Sequence, residues 1–127
     1  MRLEAERLLA QAREDLTTAR VLLQGERHYA AAFFAQQAAE KALKALHVER
    51  LRTLPRTHDL LALAEALGAP EGVVEGARLL TPDYTVSRYP DAAGTLPARL
   101  YGRAQAEARL QAAEEVLTWA ERSVGQS

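Results

Sequence analysis

Residues 29–46, Tyr29-Ala-Ala-Ala-Phe-Phe-Ala-Gln-Gln-Ala-Ala-Glu-Lys-Ala-Leu-Lys-Ala-Leu46, constrain this chain more than any other stretch. Alanine is the best helix former, so the segment is a helix. Its small side chain lets neighbouring helices approach closely, which places a helix this rich in it at the centre of a bundle. Apolar residues cover most of its sides. Gln37, Glu40, Lys41, Lys44 and His47 recur at three- and four-residue steps and make one polar stripe. A bare buried charge is very costly, so that stripe must meet solvent, a partner or a ligand.

The rest of the composition agrees with helix. Alanine, leucine, glutamate and arginine dominate, while valine, threonine and isoleucine are scarce. A chain of 127 residues suits one domain, spanning 1–127, with a single core. The 16 basic and 17 acidic residues nearly cancel, so any nucleotide site has to be a local basic patch. Cysteine is absent, which excludes disulfides, thiolate metal sites and cysteine catalysis. The amino terminus is charged from the start and has no signal-peptide core. No apolar run approaches the ~20 residues of a membrane span. A soluble, cytoplasmic protein without membrane contact is expected.

Along the chain, Ala5, Leu8, Ala12, Leu16, Ala19 and Leu22 mark a first long helix from Leu3 to Leu23, closed by Gly25. The second runs from His28 to about Arg50 and packs antiparallel to the first, because few residues join them. Pro55 interrupts it. Thr57 or its neighbours cap a third, short helix from His58 to Leu67, closed by Gly68. Pro70 opens a fourth that reaches about Leu80. Thr81 to Leu96 lacks periodicity and reads as a loop, ordered or mobile. Pro97 opens the last long helix, to about Ser123, with a seam of Ala106, Leu110, Ala113, Leu117, Ala120 and Val124. The expected fold is all-α: an antiparallel up-and-down bundle of three long and two short helices. The wide apolar surface of the second helix and the Leu110–Leu117 seam suggest a homodimer, although the same surfaces could be used within one chain.

Three pieces carry a resemblance: Ala-Ala-Glu-Lys-Ala-Leu-Lys-Ala at 38–45, Thr57-His58-Asp59-Leu60, and Ser87-Arg88-Tyr89-Pro90-Asp91. Their order and spacing resemble the HEPN superfamily, small helical proteins found beside minimal nucleotidyltransferases. The resemblance implies a dimerising bundle that binds a nucleotide or a nucleotidyltransferase partner, as in a toxin–antitoxin-type pair. HEPN ribonucleases carry an arginine, four to six residues, then a histidine, acting on RNA. Here Arg52 precedes His58 by six positions, but across a proline-containing turn rather than near the start of a later helix. A metal-independent ribonuclease toxin, with His58 and Arg52 or Arg56 in a dimer cleft, is therefore an alternative. A non-catalytic structural dimer or adaptor is another.

The residues offer a nucleotide site without catalysis. Lys41 and Lys44 suit phosphate as point charges, and Gln37 suits a base or ribose edge. The plain alternative is a solvated helix face with a Glu40–Lys44 pair worth roughly 0.3 kcal/mol. His58 and Asp59 either start a helix or form a polar cluster in which Asp59 orients His58. In the loop, Tyr84, Arg88 and Tyr89 combine a planar cation with two rings, suited to phosphate and to stacking on a base. Alternatively Tyr89-Pro90 anchors the loop and Arg88 pairs with Asp83 or Asp91. If the loop covers the stripe, Arg88 comes near Lys41, Lys44 or His58. The dispersed histidines give no zinc motif, and no Gly-rich phosphate loop or hydrolase elbow is present, so no metal or cofactor is expected beyond a nucleotide ligand.

Overall fold

The computed structural model describes residues 1–124. Three long helices frame it: α1 (Leu3–Gln24), α2 (His28–Leu46) and, at the end of the chain, α8 (Arg103–Val124). Between them lie α3 (Leu60–Ala66), α4 (Glu71–Leu80) and three one-turn helices, α5 (Asp83–Val86), α6 (Pro90–Ala93) and α7 (Pro97–Leu100). All regular structure among the described residues is helical. None of these helices is long and apolar enough to cross a membrane.

α2 is the hub, as its alanines require. It packs along α1 and α8 and also touches α3, α4, α5 and α7. Ala31, Ala32, Ala35, Ala38, Ala39, Ala42 and Ala45 are all wholly buried. Around them close Leu9 and Leu16 of α1, Leu60 and Leu63 of α3, Leu80 of α4, and Leu110, Val116 and Leu117 of α8. Both surfaces that the sequence offered for self-association, the apolar sides of α2 and the Leu110–Leu117 seam, are therefore covered within the chain.

Cross-helix ion pairs fix the directions. Arg13 meets Glu121 and Arg20 meets Glu114, so α1 and α8 are antiparallel. Arg2 N–H donates to Glu49 and Lys41 pairs with Asp15, so α1 and α2 are antiparallel too. Residues 52–102 carry the chain back, and α2 and α8 consequently run the same way. Arg50 donates to the Ser123 carbonyl (3.4 Å) where their C-terminal ends meet.

Several boundaries differ from the periodicity. α1 ends at Gly25 as expected, but the left-handed residue is Glu26 (φ 61°), not the glycine. α2 stops being α-helical at Leu46 and widens into a π-helical turn, His47–Leu51, which ends on left-handed Arg52. The cap of α3 is Asp59, whose carboxylate accepts from Ala62 N–H (3.1 Å), so that helix starts at Leu60 rather than His58. The helix expected from Pro97 onward is two helices. Tyr101 turns extended (φ −106°, ψ 112°) because its hydroxyl reaches Asp83. Gln105 then folds back to accept Gly102 N–H (3.0 Å), restarting the chain as α8 with a capping-box contact.

Candidate functional site

One face of α2 presents Phe33, Gln36, Gln37, Glu40 and Lys44 at three- and four-residue steps, and Glu40 is the node. Its Oε1 accepts from Gln36 Nε2 (3.1 Å) and from His58 Nδ1 (2.9 Å), and its Oε2 accepts from Lys44 Nζ (3.1 Å). Gln37 Nε2 in turn donates to Gln36 Oε1 (2.7 Å). Glu40 and Lys44 are almost fully buried. Burying two charges costs several kcal/mol in desolvation, and such a pair persists where further hydrogen bonds complete it. Gln36 and His58 complete this one.

His58 is held on a second side. Its ring stacks on Tyr84 with centroids 3.6 Å apart and planes 11° apart. The Arg88 guanidinium lies over the same tyrosine at 4.2 Å from the ring centre, and also within 4.9 Å of Phe33 and 5.0 Å of Tyr89. Tyr84 is therefore shared between the imidazole and the guanidinium. The order is Glu40, His58, Tyr84, Arg88. Arg88 Nε donates to the Tyr84 carbonyl (2.7 Å), which fixes the guanidinium plane. Among the described residues it has no carboxylate partner: Asp83 bonds to Arg109 instead (2.9 Å). Arg88 is exposed, and half of the Tyr89 surface is open.

A knot on α5 keeps this ladder in place. Asp83 is 2% exposed and accepts from Tyr101 O–H and Arg109 Nε. Burial pushes its carboxyl up from the ordinary carboxylate value, against the opposing pull of Tyr101 and Arg109. Tyr101 is pushed up as well, by burial first and then by Asp83. The residue after Asp83 is Tyr84, so the knot sets where the ladder stands. By its sequence this segment reads as an irregular loop; the structure makes it a chain of short helical turns.

The stripe on α2 divides. Lys44 faces the site but is neutralised by Glu40, while Lys41 turns to α1 and pairs with Asp15. His47 is buried and donates through Nε2 to the Leu63 carbonyl (3.0 Å), a link between helices. Asp59 caps α3 and is not the carboxylate beside His58; that is Glu40. Arg52 and Arg56 are exposed on the turn between α2 and α3. Tyr84 is half-buried and taken up by His58 and Arg88, which leaves Tyr89 as the more open ring for stacking. Sequence reasoning passes over Gln36 and Phe33 because glutamine and phenylalanine on an alanine-rich helix look like core. The i, i+4 series Gln36–Glu40–Lys44 is the available signal.

The family model described as HEPN domain matches residues 5–123. Among solved structures, TT1696 from Thermus thermophilus is 39% identical, with a TM-score of 0.87, covering 94% of this chain and 97% of that one. An archaeal HEPN homologue, ST0689, is 30% identical with a TM-score of 0.84, covering 98% and 99%. A HEPN domain protein from Thermotoga maritima is 26% identical with a TM-score of 0.75, covering 95% and 99%. No curated protein matches.

Proposed function

The chain belongs to the HEPN domain family, and from that premise we propose that it binds a nucleotide at the Arg88 end of the ladder, through Arg88, Tyr89 and Gln37. The observation that carries this reading is Arg88. It is a guanidinium held in one orientation by Tyr84, exposed, and without a carboxylate partner among the described residues. A planar cation of this kind pairs with phosphate oxygens through two N–H groups at once. Tyr89, half open and beside it, supplies the stacking face for a base. Gln37, half-buried on the same helix face, is the group nearest in kind to a base-edge reader. Calorimetric titration with ATP, GTP and their mono- and diphosphates tests the reading. Binding at millimolar or tighter affinity that weakens as salt rises is the expected result. Absence of binding for every nucleotide would end it.

A second reading, partnership with a minimal nucleotidyltransferase in a toxin–antitoxin-type pair, draws on a different observation. Tyr89, Leu96 and Leu100, on and between α6 and α7, are each roughly half exposed. An exposed arginine and tyrosine and two open leucines within one short segment have the composition of an interface centre. Co-purification with a neighbouring nucleotidyltransferase, lost on Leu96→Asp, is the check. Homodimerisation belongs with this reading: α2 and the α8 seam are covered, and this face is one of those that still expose large apolar side chains. Ribonuclease action through His58 with Arg52 or Arg56 is a separate proposal. Growth arrest on expression that a His58→Ala change abolishes would support it.

A further inference from the structure

We infer that His58 is a phosphoryl acceptor: its Nε2 takes a phosphoryl group from a phosphoanhydride or phosphoramidate donor held by Arg88. The inference rests on the nucleotide reading for placement of the donor but assigns a reaction that binding alone does not include.

Four observations lead to it. First, Glu40 accepts from His58 Nδ1 at 2.9 Å, so that in the neutral form of the ring the proton is on Nδ1 and the lone pair is on Nε2. Second, Glu40 is a fixed carboxylate. Gln36 and Lys44 hold both of its oxygens, and it is 6% exposed, so it can follow neither the histidine nor the solvent. A carboxylate set in this way stabilises positive charge as it develops on the imidazole. Third, the side chain of His58 is 43% exposed although Nδ1 and one ring face are covered. Nε2 has no partner among the described residues. Fourth, the His58 ring centre lies 3.6 Å and the Arg88 guanidinium 4.2 Å from the same Tyr84 ring centre, which keeps the two within about 8 Å of each other; a phosphoryl group held by the guanidinium at the rim of Tyr84 is thereby brought within reach of the imidazole edge. Stacking on Tyr84 fixes the ring plane and therefore the line of approach.

The reaction balances without a further reagent. The Nε2 lone pair attacks the terminal phosphorus of a nucleoside triphosphate, an Nε2–P bond forms, and the P–O bond to the bridging oxygen breaks. That oxygen leaves with the electron pair as nucleoside diphosphate. The ring becomes a phosphorylated imidazolium whose Nδ1–H stays on Glu40, so no proton has to leave during the step. Arg88 offsets charge on the transferring oxygens. Lys44 acts through Glu40 and has no contact with the donor in this scheme, which makes it a positioning residue.

The experiment uses the intact chain. It is incubated with γ-32P-labelled ATP or GTP and magnesium, and separately with phosphoramidate as a donor that needs no nucleotide site. Label that is lost in acid, survives alkali, gives the phosphorus NMR signal of a phosphohistidine and disappears in His58→Gln is the expected result. Glu40→Gln, read beside circular dichroism to confirm folding, should slow labelling by about 10- to 100-fold while leaving binding of a non-hydrolysable ATP analogue in place. Should Glu40→Gln not fold, Lys44→Met serves, with slower labelling and unchanged analogue affinity expected. Label that persists in His58→Gln overturns the inference. So does a wild-type chain that binds the analogue yet takes no label from any of the three donors, an outcome that leaves the nucleotide reading standing. Labelling by phosphoramidate without analogue binding does the reverse.

Discussion

Arg88 and Tyr89 are neighbours in sequence with different expected roles. Replacing Arg88 by alanine should weaken every phosphate-bearing ligand alike, by about 10-fold or more, since a hydrogen bond to a charged group contributes roughly 1.5–3 kcal/mol. Tyr89→Ala should instead cost ~1–3 kcal/mol in a base-dependent way. Titrating both variants with ATP, GTP and pyrophosphate separates the two effects, and equal losses for pyrophosphate in both would refute the division. Asp83 supports a prediction about pH. Burial raises its folded pKa above the unfolded value, so the folded state holds the proton more tightly. Its contribution is full below the unfolded value and is lost as pH rises through the folded one. The stability of the wild type relative to Asp83→Asn should therefore fall as pH is raised from about 4 to 7. Urea unfolding across that range is the measurement, and a gap that does not vary with pH would contradict it. At constant pH, Tyr101→Phe leaves Asp83 short of a donor and should cost about 1–3 kcal/mol.

Among the elements, α2 tolerates least. Its alanines are small because helices press on it from several sides, so Ala38→Leu or Ala42→Leu has to push a neighbour away. Overpacking of this kind costs about 1–3 kcal/mol. The same change at Ala104, exposed on α8, should move stability by less than about 0.5 kcal/mol. Urea midpoints of the three variants test the contrast, and equal midpoints would show that α2 is not the tightly packed hub. The break between α7 and α8 teaches a different point. Pro97 and the residues after it read as one continuous helix, because Tyr101 and Gly102 carry no signal strong enough to stop it. The stop comes from Asp83, eighteen positions away, which draws the Tyr101 hydroxyl inward.

For the molecule as a whole, assembly is the open property with the clearest measurement. Light scattering at micromolar concentration is expected to give the mass of a dimer, and Leu96→Asp or Leu100→Asp is expected to reduce it to that of one chain. A monomeric wild type would remove the dimer proposal. Both sequence arguments for association, the apolar breadth of α2 and the α8 seam, are answered inside the chain, where those surfaces meet each other. A stable interface needs ~1,200 Å² or more in total, and α6 and α7 supply only its apolar centre.

The sequence alone determined the class, the three long helices and the central place of α2. Those follow from local propensity and from a period that alanine and leucine repeat over many turns. It also determined that His58, Tyr84 and Arg88 were residues of interest, since each type carries chemistry wherever it stands. Only the tertiary structure decided which of them meet. Glu40 and His58 are eighteen positions apart and His58 and Tyr84 twenty-six, with no periodic pattern linking them. Of the two lysines, Lys44 pairs with Glu40 one turn back on its own helix, a contact that spacing alone offers, whereas Lys41 turns away to Asp15 of α1, which only packing brings near. Periodicity assigns a residue to a face of its own helix; what stands opposite that face is set by packing, which is non-local.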